Sequence, residues 1–253
     1  MNRNKILSTT TLLFALTMLA AGLIRVSAVP ASPYIMVVPE TTINPTLTPG
    51  STYTVSVYTD YSGSDIWAWQ FGLTYNPAVL SGTGVVNGDL ITTTKDPSAI
   101  YSPGTFDNIQ GRLSLTSAFF DPDYYYPRVY KTTGGPGTLA YVSFNVIGYG
   151  TSDIVLINEE IELTRATGSA TEPIIDGVVD WQQIGNSYFR NGLTGDANLD
   201  KTINVFDILA VKSRWGRTPA SGDWIREYDV NDDQAINVFD ILTVKANWGQ
   251  TAP

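Results

Sequence analysis

The chain has 253 residues with 24 acidic and 15 basic side chains, which give a formal net charge of −9, and it contains no cysteine and no histidine. The negative charge argues against nucleic acid as a partner, because nucleic-acid binding needs a basic surface. Without Cys or His, the chain can form no disulfide, no histidine-based catalytic triad and no zinc site with nitrogen or sulfur ligands. Its length suffices for one or two domains.

Residues 1–28 have the pattern of a targeting segment. Arg3 and Lys5 precede an apolar run that ends at Ile24, and residues 26–28 are small enough for cleavage. The segment is therefore predicted to be a signal peptide. The alternative is an uncleaved N-terminal anchor, because the apolar run is just long enough to span a bilayer. Both interpretations place the rest of the chain outside the membrane, secreted or attached to the cell surface.

Residues 33–190 contain short strand signals separated by turns rich in glycine and proline, and no helical periodicity of useful length. The alternation is clearest in Thr52–Asp60 and Ile66–Tyr75, where Trp67 and Trp69 share one face and are predicted to be core residues. Strands are predicted at residues 34–38, 52–60, 66–75, 112–119, 138–147, 153–157, 161–164 and 178–181. Many short strands with such turns predict a mainly β fold, a β-sandwich of about 150 residues.

The predicted strand at residues 112–119 is expected to place its side chains alternately on two faces. The expected inward set is Leu113, Leu115 and Phe119, and the expected outward set is Ser114 and Thr116.

Two groups in this region are candidates for function. The loop Tyr124–Tyr126 could stack on sugar rings or anchor a partner, but a strand edge with packed rings is the favoured interpretation. Glu159, Glu160 and Glu162 could suggest a glycosidase pair. Neighbours on a strand point to opposite faces, so Glu159 and Glu160 are not expected to flank one glycosidic bond.

The C-terminal part contains a repeat with an offset of 33 residues. Residues 204–216 read NVFDILAVKSRWG and residues 237–249 read NVFDILTVKANWG, so ten of the thirteen positions match. A repeat of this period indicates one structural unit used twice. Each copy has apolar residues at helical spacing and ends in a glycine, Gly216 or Gly249, which predicts a helix with a glycine C-cap.

Carboxylate and amide side chains precede and enter each predicted helix at positions 1, 3, 5, 9 and 12 of a twelve-residue loop, the spacing of an EF-hand calcium loop. The first set is Asp196, Asn198, Asp200, Asn204 and Asp207, and the second is Asp229, Asn231, Asp233, Asn237 and Asp240. Position 7, Thr202 or Ala235, would contribute a backbone carbonyl. Because Ca²⁺ takes six to eight oxygen ligands, the two loops predict two calcium ions. A polar turn that only caps a helix is the alternative.

These residues make the segment 194–251 resemble a dockerin domain. The resemblance implies paired calcium loops, each followed by one helix and related by a pseudo-twofold axis, in a module that binds cohesin domains. It implies that the partner contacts lie on the helices, and the predicted residues are Val205, Phe206, Leu209, Lys212, Val238, Phe239, Leu242 and Lys245. The family often has glycine at loop positions 4 and 6, which here are Leu199 and Lys201, then Asp232 and Gln234. Position 6 is therefore expected to be a strained left-handed residue in both loops.

Three pieces of the sandwich region resemble a cohesin domain: residues 67–80 (WAWQFGLTYNPAVL), residues 88–90 (GDL) and residues 137–146 (GTLAYVSFNV). The resemblance implies a nine-stranded jelly roll. In that family one flat face binds a dockerin, and related sandwiches serve as carbohydrate-binding modules.

The sequence thus predicts a targeting segment (1–28), a cohesin-like β-sandwich (33–190) and a dockerin (194–251). Residues 184–194, which lack periodicity, are predicted to be a hinge between two separately folding domains. The expected function is that of an exported, non-catalytic, calcium-binding adaptor that joins cohesin-bearing or dockerin-bearing proteins, linked to polysaccharide degradation or to the cell surface. A carbohydrate-binding module carried on a dockerin is the alternative, with polysaccharide as its partner. A glycoside hydrolase is the least favoured hypothesis.

Overall fold

The structure is a computed structural model, which describes residues 33–61, 66–92, 99–120, 136–167, 170–177 and 180–252. The predicted targeting segment 1–28 and the Tyr124–Tyr126 loop lie outside these ranges. Among the described residues, no helix has the length and apolar character needed to cross a membrane.

The described residues form fourteen strands, two α-helices and three 3-10 turns. The strands are β1 (Tyr34–Val38), β2 (Thr41–Ile43), β3 (Thr52–Asp60), β4 (Ile66–Thr74), β5 (Leu80–Asn87), β6 (Ala99–Ser102), β7 (Thr105–Asp107), β8 (Arg112–Phe120), β9 (Gly137–Val146), β10 (Thr151–Leu156), β11 (Glu162–Thr167), β12 (Ala170–Asp176), β13 (Ile184–Gly185) and β14 (Ser187–Arg190). The helices are α1 (Val205–Ser213) and α2 (Val238–Ala246), and the 3-10 turns are Asn158–Glu160, Trp181–Gln183 and Arg226–Tyr228.

The strands form two sheets that enclose one core, as a β-sandwich requires. The smaller sheet has the order β13-β1-β3-β9-β5, and the larger has β12-β11-β4-β10-β14-β2 with β8 paired to β4, β6 and β7. Alternation decides which side chains fill the space between the sheets: Trp69 and Phe71 from β4, Phe144 from β9 and Phe189 from β14 are at most 2% exposed. The predicted core positions of Trp67 and Trp69 are confirmed.

A β-bulge in β8 overturns the predicted alternation of that strand. Phe71 of β4 faces Thr116 while Leu73 faces Leu113, so two residues, Ser114 and Leu115, stand opposite the single residue Gly72. Leu115 has a φ of 46° and its side chain is 54% exposed. The extra residue reverses the two faces beyond it, so that Thr116 becomes buried.

This reversal makes the prediction for Leu115 and Thr116 wrong. Phe119, which was expected to face the core, is likewise only half-buried, while Ala118 and Phe120 take the inward positions.

Glu160 fills the space above the bulge. Its carboxylate pairs with Arg112 and accepts a hydrogen bond from the backbone N–H of Leu115 at 3.1 Å. It also occupies the volume that a Cβ would take at Gly72, which explains the glycine there. Glu160 lies in the turn Asn158–Glu160 and not on a strand, so the strand argument applied to it from the sequence is corrected.

The hinge prediction is wrong for residues 184–190. Residues of β13 pair with β1, and β14 pairs with β10 and β2, so this segment completes both sheets. Asn191, within the predicted hinge, is 2% exposed: its side chain accepts from Gly150 N at 2.9 Å and donates to the carbonyls of Leu47 and Gly148 at 2.8 and 3.0 Å. The strands were missed because two-residue and four-residue segments are too short to show a period.

Candidate calcium loops and partner-binding helices

The residues at loop positions 9 and 12 start each helix by a reciprocal capping box. Before α1, Asn204 Oδ1 accepts from Phe206 N at 2.8 Å, and Asp207 Oδ2 accepts from Asn204 N at 2.8 Å. Asn237 and Asp240 make the same two bonds before α2, at 2.8 and 2.7 Å. Capping therefore accounts for positions 9 and 12. It leaves positions 1, 3 and 5 to be explained.

In each loop the carboxylate at position 1 accepts hydrogen bonds from two backbone N–H groups later in the same loop. In the first loop, Asp196 accepts from the backbone N–H groups of Asp200 at 3.1 Å and Lys201 at 2.8 Å. In the second loop, Asp229 accepts from Asp233 at 2.9 Å and Gln234 at 2.8 Å. The two loops thus have the same hydrogen-bond pattern, as the repeat predicts.

The non-glycine residues at positions 4 and 6 adopt left-handed backbone conformations. The φ angles are 59° at Leu199, 71° at Lys201, 58° at Asp232 and 69° at Gln234. The left-handed conformation expected at position 6 is confirmed for both loops, and position 4 shares it. A side chain with a Cβ is disfavoured in this region by roughly 1–2 kcal/mol relative to its right-handed form. The loops therefore tolerate strain that glycine would relieve.

Carboxylates at positions 1 and 12 are withdrawn from solvent in both loops. The exposed fractions are 4% for Asp196, 0% for Asp207, 1% for Asp229 and 0% for Asp240. Burial, together with the neighbouring carboxylates of Asp240 and Asp233, raises the pKa of Asp229 to about 6. Burial likewise raises the pKa of Asp196 and of Asp240 above the ordinary range. A cation among these oxygens would relieve this unfavourable charge.

The predicted ligands of the first loop lie in one hydrogen-bonded cluster. Asp207 reaches back to the start of the loop, where its Oδ1 accepts from Ala197 N at 2.8 Å. Asn198 Nδ2 donates to Asp200 Oδ2 at 2.8 Å, and Asn204 Nδ2 donates to the Thr202 carbonyl at 3.2 Å. The second loop repeats the last two contacts: Asn231 donates to Asp233, and Asn237 donates to the Ala235 carbonyl, both at 2.9 Å.

Within the described part of the chain, however, no group of three or more His, Cys, Asp or Glu side chains is arranged to hold a metal ion. The loop carboxylates accept hydrogen bonds from backbone N–H groups and from the amide side chains of Asn198 and Asn231. Each loop nonetheless offers three carboxylates, two amide oxygens and one backbone carbonyl, all hard oxygen donors of the kind that Ca²⁺ takes. The donor chemistry therefore fits calcium.

Backbone pairing relates the two repeats by a pseudo-twofold axis. Ile203, at position 8 of the first loop, bonds through N to Gln250 O and through O to Gly249 N, both at 2.9 Å. Ile236, its equivalent, bonds in the same way to Arg217 O at 2.9 Å and Gly216 N at 2.8 Å. Each loop is thus closed by the segment that follows the other helix, so neither repeat is complete alone.

Each helix and the residues just after it present large apolar side chains to solvent. The α1 patch consists of Val205 (49% exposed), Phe206 (61%), Leu209 (54%) and Trp215 (51%). The α2 patch consists of Val238 (48%), Phe239 (59%), Leu242 (52%) and Trp248 (53%). Lys212 and Lys245 are exposed on the same helices. Large exposed apolar groups in two equivalent sets are unusual on a solvated surface and indicate contact with a partner.

Trp215 and Trp248 were not among the predicted partner-binding residues. The signal that could have identified them is the recurrence of tryptophan at one position of both repeats, two residues after each helix ends.

The sandwich has its own candidate surface, a groove of 420 Å³ over β4, β8 and β11. Its lining includes Ala68, Gln70, Ser117, Phe119, Glu162 and Thr164. The half-buried Phe119 beside amide, hydroxyl and carboxylate groups can contact either a peptide or a sugar.

Replacing Gln234 by glycine is expected to stabilise the second loop. Gly adopts positive φ without a Cβ clash, so the free energy of unfolding should rise by about 0.5–1 kcal/mol, as measured by urea denaturation in calcium. Gln250→Gly is the matched control, because Gln250 does not have a positive φ. Its replacement by glycine should lower the free energy of unfolding by about 0.5–1 kcal/mol. Equal losses in both variants would show that the Gln234 backbone carries no strain.

Comparison with known proteins identifies one family over the C-terminal module. Residues 194–247 match the model of the dockerin type I domain. The curated proteins contain no match to the chain.

Among solved structures, the chain is similar to the sixth cohesin of scaffoldin B from Acetivibrio cellulolyticus in complex with a Cel5 dockerin, with 17% identity, a TM-score of 0.43, and coverage of 64% of this chain and 99% of that one. It is also similar to a non-cellulosomal cohesin from Archaeoglobus fulgidus, with 17% identity, a TM-score of 0.41, and coverage of 66% and 96%. A cohesin–dockerin complex from Clostridium thermocellum gives 12% identity, a TM-score of 0.44, and coverage of 64% and 99%. The family match agrees with the dockerin resemblance drawn from the sequence, and it covers both loops and both helices.

Proposed function

We propose that this chain is a non-catalytic adaptor that joins proteins through a calcium-dependent dockerin module and a cohesin-like sandwich. The observation that carries the proposal is the presence of two equivalent exposed patches on the helices of the segment that matches the dockerin type I domain. The partner proposed for these patches is a cohesin-bearing protein. The sandwich would in turn receive the dockerin of another protein in its groove.

The proposal includes two calcium ions. The first would be held by Asp196, Asn198, Asp200, Thr202 and Asp207, and the second by Asp229, Asn231, Asp233, Ala235 and Asp240, with Asn204 and Asn237 at position 9 of their loops. Calcium supplies the charge that compensates the buried carboxylates of each loop. The chain's own part is to bring the oxygens together and to fix the start of each helix.

Export and a role outside the cell are also part of the proposal. They rest on the targeting pattern of residues 1–28 and on the scaffold function that the dockerin resemblance implies. A link to polysaccharide degradation follows from the same resemblance.

The groove over β4, β8 and β11 favours a second candidate for the sandwich, a carbohydrate-binding module that holds an assembly on polysaccharide. Phe119 offers a ring face, and Gln70, Glu162 and Thr164 offer groups that can bond to sugar hydroxyls.

One experiment tests the proposal and separates the two roles of the sandwich. The full chain is immobilised and offered purified cohesin domains and purified dockerin domains, and in a separate arm the soluble chain is mixed with insoluble cellulose, each with calcium and with EDTA. Retention of at least one cohesin in calcium, lost in EDTA, is the expected result. Retention of dockerins favours the adaptor, whereas retention on cellulose alone favours the carbohydrate-binding module. Failure to retain any cohesin across a broad panel would overturn the dockerin role.

A further inference from the structure

Arg190, the last residue of β14, reaches from the sandwich to both repeats of the dockerin-like module. Its side chain is buried, with the residue only 5% exposed. Nη2 donates to the backbone carbonyl of Asp196 at 2.7 Å, and Nη1 donates to the backbone carbonyl of Glu227 at 3.0 Å. Asp196 is position 1 of the first loop, and Glu227 lies two residues before position 1 of the second. One guanidinium thus fixes the chain at the entrance of both loops.

A second arginine makes the reverse connection. Arg226, in the turn that leads into the second loop, stacks on the ring of Tyr188 with its guanidinium carbon 3.9 Å from the ring centre. It also donates to Thr41 Oγ1 at 2.7 Å. Because Tyr188 belongs to β14 and Thr41 to β2, the module is attached to two neighbouring strands of the larger sheet.

Two weaker contacts extend the junction. Thr151 of β10 donates to Glu227 Oε1 at 3.4 Å, and Lys201 Nζ of the first loop lies 5.5 Å from the centre of the Tyr149 ring. The junction shares no residue with the α1 patch, the α2 patch or the groove. Attachment of the module to the sandwich therefore leaves the three proposed partner surfaces free.

We infer that Arg190 is a positioning residue for both calcium loops, and that calcium binding in the module is coupled to the order of strands β10 and β14 of the sandwich. The inference rests on the proposed function only in requiring that the loops bind calcium. A buried guanidinium that holds two carbonyls restricts the backbone at the first ligand of one loop and two residues before the first ligand of the other. The ion therefore has to order less of each loop when it binds. Linkage is reciprocal: if the junction favours calcium binding, calcium must stabilise the junction.

The test compares the full chain with its Arg190→Gln variant in two measurements. In calorimetric calcium titration, the variant should bind both ions about tenfold more weakly, within the usual range of coupling between sites. Arg190→Lys, which can reach one carbonyl at a time, should recover part of the loss. Arg112→Gln is the matched control, because Arg112 lies in β8 of the sandwich, pairs there with Glu160 and should leave calcium affinity unchanged.

The second measurement distinguishes positioning from a general loss of stability. Hydrogen exchange is followed in β10 and β14 with and without calcium. In the natural chain calcium should slow exchange in these strands, although they contribute no calcium ligand. In Arg190→Gln calcium should slow exchange only within residues 194–252. If calcium leaves β10 and β14 unaffected in the natural chain, the coupling is wrong while the calcium-binding proposal stands.

Arg226→Gln keeps the inference testable if Arg190→Gln does not fold. Arg226 has a partly exposed side chain, and its loss removes the stacking on Tyr188 and the bond to Thr41. The variant should reduce the calcium response of β10 and β14, and an unchanged response would overturn the coupling. An absence of calcium binding in the natural chain would overturn the calcium part of the proposed function and this inference together.

Discussion

Alanine replacement of Val205, Leu209, Val238 and Leu242 in one chain is expected to abolish cohesin binding, whereas replacement of Val205 and Leu209 alone should weaken it only about twofold. The pseudo-twofold axis offers either patch to one partner face, so removing one patch halves the number of equivalent binding modes. Removing both costs roughly 3–4 kcal/mol in either mode, or a factor of about 100–1,000 in the dissociation constant. Calorimetric titration of a cohesin retained by the full chain measures both effects.

The two patches are not identical, so the two binding modes are not expected to be equally populated. Arg214 follows α1 at the position that Asn247 has after α2, so a mild preference for one mode is expected. Val86→Ala with Ile109→Ala is the matched control, because both side chains are exposed, at 63% and 91%, but lie on the sandwich. Loss of all binding from the Val205 and Leu209 pair alone would show that α1 carries the whole recognition.

Removal of calcium with EDTA is expected to unfold the dockerin-like module while the sandwich stays folded. The core of the module contains only six buried hydrophobic residues, and buried carboxylates in each loop then face one another without a cation. Amide hydrogen exchange should therefore accelerate by several orders of magnitude in α1 and α2. The strands β3, β4 and β9 should remain protected.

Substitution of the carboxylates at position 12 tests whether loss of calcium from the loops causes this unfolding. Asp207→Asn with Asp240→Asn should reproduce the effect of EDTA in the presence of calcium, because each loop loses a charged ligand and one of the two carboxylate oxygens that accept backbone hydrogen bonds. Asn keeps the shape of the side chain, so packing is a minor part of the change. Restoration of protection by added calcium, but not by the same concentration of sodium, completes the test. Helices that stay protected in EDTA would contradict the calcium dependence.

The longer strands could be predicted from the sequence because their periodicity coincides with burial. In β3 and β4 every second side chain enters the core, and the predicted bounds agree with the structure to within one residue. In β8 the same rule failed at Leu115, because one extra residue opposite Gly72 reverses the faces. A bulge depends on the partner strand and on Glu160, and neither can be deduced from the alternation of a single segment.

The loops were more predictable than the strands that surround them. Ligand spacing and left-handed positions are local, and the repeat shows each of them twice, so the positive φ at position 6 of each loop was predicted correctly. The positive φ at position 4 and the reciprocal capping boxes were not predicted. The junction was not predictable. Arg190 and Arg226 carry no local signal, because their partners lie in segments that are far apart in the chain.

Each loop is closed by the segment that follows the other helix, so the first loop depends on residues 249–252, which follow α2. Residues 249–252 hold the first loop through Gly249, Gln250 and Ala252, the last of which donates to the Lys201 carbonyl at 2.9 Å. The second loop is closed by residues 216 and 217, which lie in the middle of the module. A protease that removes a few residues after position 247 would therefore spare every proposed calcium ligand and still disable the first loop, leaving only the second of the two proposed sites. An affinity tag or fusion partner joined directly at residue 248 would do the same.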